Sequence, residues 1–361
     1  MKRIKRLVQA ILFLSISFQG FSQEERLKLY VVDSTDNSPL SFVHVFDSQD
    51  KAKGTITNED GYAILKGISR NDSITISFLG YKTKSIRAQD FTSDTVFMQS
   101  LNEQLDEIVL TNISAREILL KVISRLEENH SVEPVLYDVF LRSSYQSPDM
   151  ELHLLEEQFM KVYQGKNHRS KFRFDQGRVR PFSKTGDSIF KNYRMINATY
   201  LFTNNLFIFK NDVLKPRKLK NYTIEYEPSS DDEIINIICS QEGDSFKTKL
   251  SIDRENYGIL LFTPRVSDTS IEEIYFQKLE GKFYLSSFRH KRGFWKKDLK
   301  EITHALYTVA ELNDQEVEVK GWNAMIDVTK AKKYMGKWDD DFWKENQFLP
   351  LPKWIENQIT Q

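Results

Sequence analysis

Short runs of alternating apolar and polar residues fill the chain between residues 27 and 100. At positions 43–45 and 74–76, for example, two apolar side chains flank a polar one, so one face of each strand can be buried while the other meets water. Clusters of turn-forming residues separate the runs, at positions 33–39, 47–54, 58–61 and 69–73. This spacing predicts a small β-sandwich.

A helical pattern follows the alternating region. Ser114 and Glu117 have the spacing of a capping box. The apolar residues behind them share one helical face: Ile118, Leu119, Val122, Ile123 and Leu126. We therefore predict a helix that begins after Ser114 and ends near Asn129.

Beyond residue 133 the strand pattern returns and continues for most of the chain. Residues 246–252 alternate, and a turn at 253–258 leads into the apolar run 259–262, which predicts a hairpin. Further strands are expected at residues 222–226, 234–239, 271–276, 282–290 and 301–309. Residues 151–163 fit either a strand or a helix, and we favour the strand. The result is a large antiparallel meander.

The C-terminal region contains the signals of a short helix. Asp341 ends a run of aspartates that can cap a helix carrying Phe342 and Trp343. Pro350 and Pro352 then break that helix before Trp354 and Ile359 dock.

Composition and charge narrow the class of protein. The 361 residues suit two domains rather than one. Lys and Arg together number 51, as do Asp and Glu, which argues against a strongly basic nucleic-acid-binding protein. The single cysteine, Cys239, excludes a disulfide framework within the chain and a Cys-rich metal site.

The N-terminus has the pattern of a secretory signal peptide. Four basic residues lie within positions 1–6, and an apolar stretch follows at 7–18. Gly20 and Ser22 have the spacing of a signal-peptidase site. The segment is short for a permanent anchor, and no later stretch is long enough for a membrane helix, so we expect no transmembrane span after cleavage. The mature net charge would be about −4.

Three sequence blocks make the first region recognisable. They read Pro-Leu-Ser-Phe-Val-His-Val at 39–45, Gly-Thr-Ile-Thr-Asn-Glu-Asp-Gly-Tyr at 54–62 and Ile-Thr-Ile-Ser-Phe-Leu-Gly-Tyr at 74–81. Their order and spacing resemble the carboxypeptidase-like regulatory domain, a transthyretin-like seven-stranded sandwich, over roughly residues 27 to 100. The resemblance implies a non-catalytic module of the kind found in TonB-dependent receptors and related exported proteins of Gram-negative bacteria. Residues 105–110 also resemble the short strand that follows this module in TonB-dependent receptors. In those receptors the plug comes next, whereas here a helical pattern follows.

The fold class we predict is mainly β. It consists of a seven-stranded sandwich, a helical linker and a large curved antiparallel sheet with flanking helices, and it resembles the half-barrels of periplasmic lipoprotein carriers. One face of so large a sheet must be covered, either by the flanking helices or by an apolar ligand. The expected boundaries are 1–22 for the signal peptide, 23–100 for the sandwich, 101–132 for the linker strand and helix, and 133–361 for the sheet domain with its C-terminal helix.

One pair of residues raises the question of a zinc site. His153 and Glu156 have the H-x-x-E spacing of metallocarboxypeptidase ligands, but catalytic zinc also needs a third ligand and a proton-transferring carboxylate. The sequence contains no H-E-x-x-H, G-x-S-x-G, Walker or G-x-G-x-x-G motif. Cys239 lies in an apolar strand, where a thiol usually acts as a small hydrophobe. We expect no catalytic residue, no metal and no cofactor.

Basic and aromatic stretches are the candidate binding residues. The basic ones contain Arg169, Lys171 and Arg173, and Arg289, Lys291 and Arg292. They could meet phospholipid or lipopolysaccharide head groups with Phe294 and Trp295 at the interface, or they could be ordinary solvated strand faces. The apolar run 200–209, with Phe202, Phe207 and Phe209, could form the lip of an apolar cavity or a helix that covers the core.

These observations favour a non-enzymatic protein of the cell envelope, in the periplasm or at the outer membrane. Its sandwich would make protein contacts and its curved sheet would bind an apolar or amphiphilic, lipid-like ligand. The alternative is a purely structural adaptor whose sheet is filled by its own helices, and a hydrolase that uses His153 and Glu156 is less favoured. Nucleic acid is not an expected partner.

The signal peptide gives the first prediction. N-terminal sequencing of the protein from the envelope fraction should find Gln23 as the first residue, because Gly20 and Ser22 precede it at the small-residue positions of the cleavage site. A protein that retains Met1 would contradict this.

Overall fold

The computed structural model describes residues 26–50, 53–101, 113–165, 170–192, 211–229, 231–267, 269–294, 299–312, 335–336, 341–345 and 349–359. The expected signal peptide, residues 1–22, and the expected linker strand, residues 105–110, lie outside these ranges. The described part is mainly β, as predicted from the sequence.

The first seven strands form the sandwich. They are β1 (Leu27–Asp33), β2 (His44–Asp47), β3 (Gly54–Ile56), β4 (Tyr62–Leu65), β5 (Ser73–Ser77), β6 (Lys84–Arg87) and β7 (Thr95–Met98), with a 3-10 turn at Ala88–Asp90. One sheet has the order β4-β1-β7 and the other β3-β2-β5-β6. Both sheets contribute alternate residues to one apolar core, for example Leu29 and Val31 from β1 and Ile74 and Ile76 from β5.

The remaining strands form one sheet. They are β8 (Val135–Gln146), β9 (Leu152–Gln164), β10 (Ser170–Pro181), β11 (Thr223–Glu227), β12 (Ile234–Ser240), β13 (Lys247–Asp253), β14 (Ile259–Val266), β15 (Ser270–Leu279), β16 (Lys282–Phe294), β17 (Leu299–Leu312) and β18 (Met335–Gly336). Their order is β11-β12-β13-β14-β15-β16-β17-β8-β9-β10-β18. The pairings are antiparallel except for the short parallel contact of β18 with β10.

The local sequence signals of this sheet are confirmed. The hairpin expected around residues 253–258 joins β13 to β14, which pair antiparallel. The ambiguous residues 151–163 lie in strand β9, so the preference for a strand was right.

Helices cover one face of the large sheet, which we call the helix face. They include α1 (Ala115–Ser124), α2 (Leu126–Asn129) and two 3-10 segments (Asp212–Leu214 and Pro216–Asn221). Ser114 and Glu117 form the predicted capping box at the start of α1. Apolar residues of α1 and of the 3-10 segments are buried in a single cluster with residues of β8, β12, β13 and β16. Much of the helix face is therefore filled by the chain itself.

The other described helices are α3 (Lys184–Asn192), α4 (Asp341–Glu345) and α5 (Lys353–Ile359). The short helix predicted around Phe342 and Trp343 corresponds to α4.

Two neighbouring residues of α1 test how much the helix stabilises the sheet. Leu119 is fully buried and Leu120 is 40% exposed. Leu119→Ala should lower the free energy of unfolding by about 2–5 kcal/mol because it leaves a cavity against the sheet, whereas Leu120→Ala should change it by less than about 0.5 kcal/mol. Urea denaturation of both variants measures this, and equal effects would contradict the packing of α1.

Candidate functional site

The sandwich packs against the opposite face of the large sheet, which we call the sandwich face. An apolar cluster joins the two parts: Ile56 and Phe42 come from the sandwich, and Phe140, Phe159, Leu306, Phe342, Trp343 and Leu349 come from the sheet and the C-terminal region. The cluster forms because Phe140 is the direct cross-strand neighbour of both Leu306 and Phe159, which places three apolar side chains side by side.

Phe42 is the central sandwich residue of this interface. Its ring lies 4.6 Å from the His304 ring and 4.9 Å from the Arg289 guanidinium, which also binds Glu273 at 3.0 Å. Phe42 has a φ of 64°, in the left-handed region that a bulky residue seldom adopts. The contacts with the sheet offset that backbone strain.

His304 lies buried beneath the sandwich. Burial is the largest cause that lowers its pKa to about 3, and the positive charges of Arg289 and Arg142 lower it further. The imidazole is therefore neutral at physiological pH. Protonation would add a positive charge close to those of Arg289 and Arg142.

A cleft of about 410 Å³ opens beside the apolar cluster. Its walls belong to the edge of the sandwich and to the sandwich face of the sheet: Lys53, Gly54, Thr55, Ile64, Leu65, Lys66, Asp138, Phe140, Phe159, Lys161, Asp175, Leu306, Thr308 and Phe342. The apolar side chains of this lining include residues of the cluster, and charged residues accompany them. We call this the large cleft.

A second cleft of about 230 Å³ also has walls from both parts of the chain. His44 and Phe46 contribute from the sandwich, and Tyr275 and Gln277 contribute from the sheet. The docked interface thus includes an apolar cluster and two clefts.

Next to the large cleft, three charged residues on neighbouring strands form a buried ion-pair group. Glu157 of β9 is 1% exposed and lies between Arg142 of β8 and Arg178 of β10. Its Oε1 accepts from Nε of Arg142 at 2.7 Å and its Oε2 accepts from Nε of Arg178 at 2.6 Å. The Arg178 guanidinium also lies 4.5 Å from the Trp343 ring. Both carboxylate oxygens are therefore satisfied, which buried charges require.

Arg142 connects this group to the segment 349–359, which we call the strap. Its Nη1 donates to the carbonyl of Pro350 at 2.9 Å, and Nη2 donates to the carbonyl of Leu349. Farther along, Gln358 binds the start of β9 through the Leu152 amide at 2.8 Å. Leu349 and Ile355 are each 2% exposed, so the strap is packed as part of the core.

The strap also binds the sandwich at the turn of residues 58–60. The Asn58 amide donates to the Leu351 carbonyl at 3.1 Å. Asp60 Oδ2 accepts from the Lys353 amide at 2.6 Å, and Glu59 Oε2 accepts from the Trp354 indole at 2.9 Å. One segment thus holds both parts of the chain together.

Within the described ranges, the predicted basic residues lie on two separate strands. Lys171 and Arg173 lie on β10, and Arg289, Lys291 and Arg292 lie on β16. Four strand spacings separate these strands, or about 19 Å. Arg173 pairs with Asp175 at 2.7 Å, Arg289 pairs with Glu273, and Arg292 pairs with Glu301 at 3.3 Å. Their binding of anionic head groups stays a prediction.

Several of the predicted site residues lie outside the described ranges: Arg169, Phe202, Phe207, Phe209 and Trp295. The backbone of Phe294 ends β16, and its side chain is likewise outside the description.

His153 and Glu156 contact different groups. His153 Nδ1 lies 2.8 Å from Ser183 Oγ, and Glu156 accepts from the Gln158 amide. The register of β9 against β8 shifts beside His153. In the described ranges no three His, Cys, Asp or Glu side chains are grouped so that they could hold a metal ion.

Other buried polar groups lie on the helix face. The Tyr145 hydroxyl donates to Glu301 Oε1 at 2.9 Å, and burial raises the pKa of Glu301. Cys239 is also buried, and burial raises the pKa of its thiol to about 12, which keeps it protonated and unreactive at neutral pH.

Comparison with known families identifies part of the chain. Residues 30–110 match the CarboxypepD_reg-like domain, and the sandwich accounts for most of that range. The resemblance of the three sequence blocks to a carboxypeptidase-like regulatory domain is thereby confirmed. A comparison with curated proteins gave no match.

Comparison with solved structures gave distant likenesses. A DUF1329 family protein from Desulfovibrio piger has 9% identity and a TM-score of 0.33, with 57% of this chain and 96% of that chain covered. A putative outer membrane lipoprotein-sorting protein domain from Vibrio parahaemolyticus has 8% identity and a TM-score of 0.28, with 58% and 96% covered. The MucA/MucB complex of Pseudomonas aeruginosa has 8% identity and a TM-score of 0.18, with 54% and 93% covered. These values are too low to carry function to this chain.

No helix among the described residues has the length and apolar character needed to cross a membrane.

The buried ion-pair group gives the next prediction. Glu157→Gln should lower the free energy of unfolding by about 3–5 kcal/mol, because it leaves two buried guanidinium groups without a countercharge. The matched control is Asp175→Asn, in a pair whose Arg173 and Asp175 side chains are 50% and 36% exposed, and its cost should stay below about 1 kcal/mol. Chemical denaturation measures both, and a Glu157→Gln variant as stable as the control would contradict the assigned pairing.

Proposed function

We propose that this chain is a non-catalytic, exported protein of the cell envelope that binds an apolar or amphiphilic ligand in the large cleft. The observation that carries the proposal is the cleft itself, about 410 Å³ in volume and bounded by both the sandwich and the sheet. That volume lies within the range of about 300–1,000 Å³ that is usual for small-molecule sites.

The lining suits a ligand with an apolar body. Phe140, Phe159 and Leu306 form a continuous apolar surface on the sheet, and Ile64 adds an apolar side chain from the sandwich. Transfer of apolar surface from water into such a cleft is favourable at roughly 25 cal/mol per Å².

Charged groups around the same cleft suit a polar head. Lys161 pairs with Asp138 at 2.5 Å, and both line the cleft. Lys53 and Lys66 line it from the sandwich. A ligand that combines an apolar chain with a polar or charged head therefore fits the site better than a plain hydrocarbon.

The sandwich supports the non-catalytic part of the proposal. It matches a CarboxypepD_reg-like domain, and the sequence blocks resemble the non-catalytic modules of TonB-dependent receptors. The export signal expected at residues 1–22 supports a location in the periplasm or at the outer membrane.

One observation favours a second candidate function, a purely structural adaptor. From the sequence, either helices or a ligand could cover one face of the sheet. In the structure, α1 and the 3-10 segments fill much of the helix face. A ligand would then have to use the sandwich face, where the large cleft lies. If that cleft binds nothing, the adaptor function is the better account.

The proposal predicts that lipid copurifies with the natively exported protein and depends on the cleft. Ile64→Trp places a large ring at the wall of the large cleft and should reduce the bound lipid at least about fivefold, since the cavity is filled. The measurement is quantitative mass spectrometry of lipids extracted from the purified protein.

The matched control is Ile86→Trp. Ile86 is also a half-buried isoleucine in a sandwich strand, but it is absent from the linings of both clefts. Lipid content should stay at the wild-type level in this variant. Wild-type protein without stoichiometric lipid, or equal lipid loss in both variants, would refute binding in the large cleft.

A further inference from the structure

The turn at residues 58–60 of the sandwich contacts the strap through three consecutive side chains. Asn58 binds a backbone carbonyl, Asp60 binds a backbone amide and Glu59 binds an indole N–H. A donor and two acceptors thus meet complementary groups within four residues, where the strap enters α5. In peptide recognition, hydrogen bonds to the main chain give affinity and contacts with side chains give specificity.

Hydrogen bonds within the turn hold its shape independently of the strap. Asn58 Oδ1 accepts from the amides of Asp60 and Tyr62, each at 2.9 Å. Gly61 has a φ of 73°, and a Cβ at this position would lie 2.5 Å from the Val31 carbonyl oxygen. Only glycine fits there without strain. A preformed site loses little conformational entropy on binding.

The strap is suited to be the bound peptide. Pro350 and Pro352 fix two of its backbone φ angles and keep the segment extended up to Lys353. Trp354 follows immediately and supplies the indole. The recognised segment therefore contains two prolines and leads into a helix whose first turn carries the tryptophan.

We propose that this turn is a peptide-recognition site of the sandwich, which the strap occupies in cis and which accepts a matching segment of a partner protein in trans. The partner is a protein with a proline-containing segment that leads into a helix whose first turn carries an aromatic residue. The strap itself shows the chemistry that the site accepts. This inference does not depend on a ligand in the large cleft, because it uses different residues.

Because the strap of the same chain occupies the turn, it controls whether a partner segment can bind there. A segment in the same chain competes at an effective concentration that free peptide must match, so a free peptide binds only at high concentration or when the strap is weakened. The intact chain is thus in a closed state with respect to the partner.

The test weakens the strap without shortening the chain. Lys353→Pro removes the amide that Asp60 accepts from, while proline is tolerated as the first residue of a helix such as α5. Combined with Trp354→Ala, it removes the strap's hydrogen bonds with Asp60 and Glu59. Fluorescence anisotropy of a labelled peptide with the sequence of residues 349–359 then measures binding in trans. We expect the double variant to bind this peptide at least about tenfold more tightly than the wild-type chain.

Two controls assign the binding to the turn. Lys353→Ala keeps the amide and the indole, so the strap should stay in place and the peptide should bind as weakly as to the wild type. Adding Glu59→Gln and Asp60→Asn to the double variant should weaken peptide binding at least about tenfold. Binding that survives these two changes would refute the assigned site, as would a folded double variant that binds no peptide.

A second measurement covers the case in which the double variant does not fold. In the wild-type chain, millimolar unlabelled peptide should shift the Trp354 indole N–H resonance toward that of a solvent-exposed indole, as the peptide displaces the strap. The resonance is assigned by its loss in Trp354→Phe. A resonance that does not move at saturating peptide would overturn the proposal.

Discussion

The arrangement of the described molecule depends on one buried carboxylate. Glu157 lies between Arg142 and Arg178 on three adjacent strands, and all three side chains are buried. Two guanidinium groups around one carboxylate leave donors in excess, and Arg142 directs its remaining N–H groups to the carbonyls of Leu349 and Pro350. Because a buried charge without partners is costly, the ion-pair group determines where the strap must lie, and the strap in turn reaches the sandwich turn.

Apolar packing and directional hydrogen bonds together hold the sandwich against the sheet. The cluster around Phe140 supplies non-directional attraction, which alone would allow many orientations of the sandwich. The hydrogen bonds of Asn58, Glu59 and Asp60 are directional and select one of them. In this orientation the ring of Phe42, a residue in the left-handed conformation, meets His304 and Arg289.

The sequence was most informative where the signal is local. The capping box at Ser114 and Glu117 and the β13–β14 hairpin each involve residues close together in the chain, and both were predicted. The mainly β fold followed from the same period-two alternation. The ion-pair group was missed because Arg142, Glu157 and Arg178 look like ordinary solvent-facing charges of alternating strands, and only the register of β8, β9 and β10 brings them together.

The candidate site was harder to predict for the same reason. The sequence directed attention to one face covered by helices or by a ligand, since a large sheet must cover one face. It gave no sign that the sandwich would cover the opposite face, because Phe42 and Ile56 also fit the alternation of a self-contained sandwich. The turn of residues 58–60 was recognised as a family block, but its side chains looked like turn formers. Their contacts with residues about 290 positions later cannot be inferred from local pattern.

The geometry also links the two proposed binding events. Phe342 of α4 lines the large cleft, and the neighbouring Trp343 stacks on Arg178 of the ion-pair group that anchors the strap. A partner peptide that displaces the strap removes contacts that hold the sandwich against the sheet, and the cleft has walls from both parts. Ligand in the cleft therefore favours the closed arrangement, and partner on the turn disfavours it. By linkage each must weaken the binding of the other by the same factor, so a protein of this design can couple release of an amphiphile to recognition of a protein partner without catalytic chemistry.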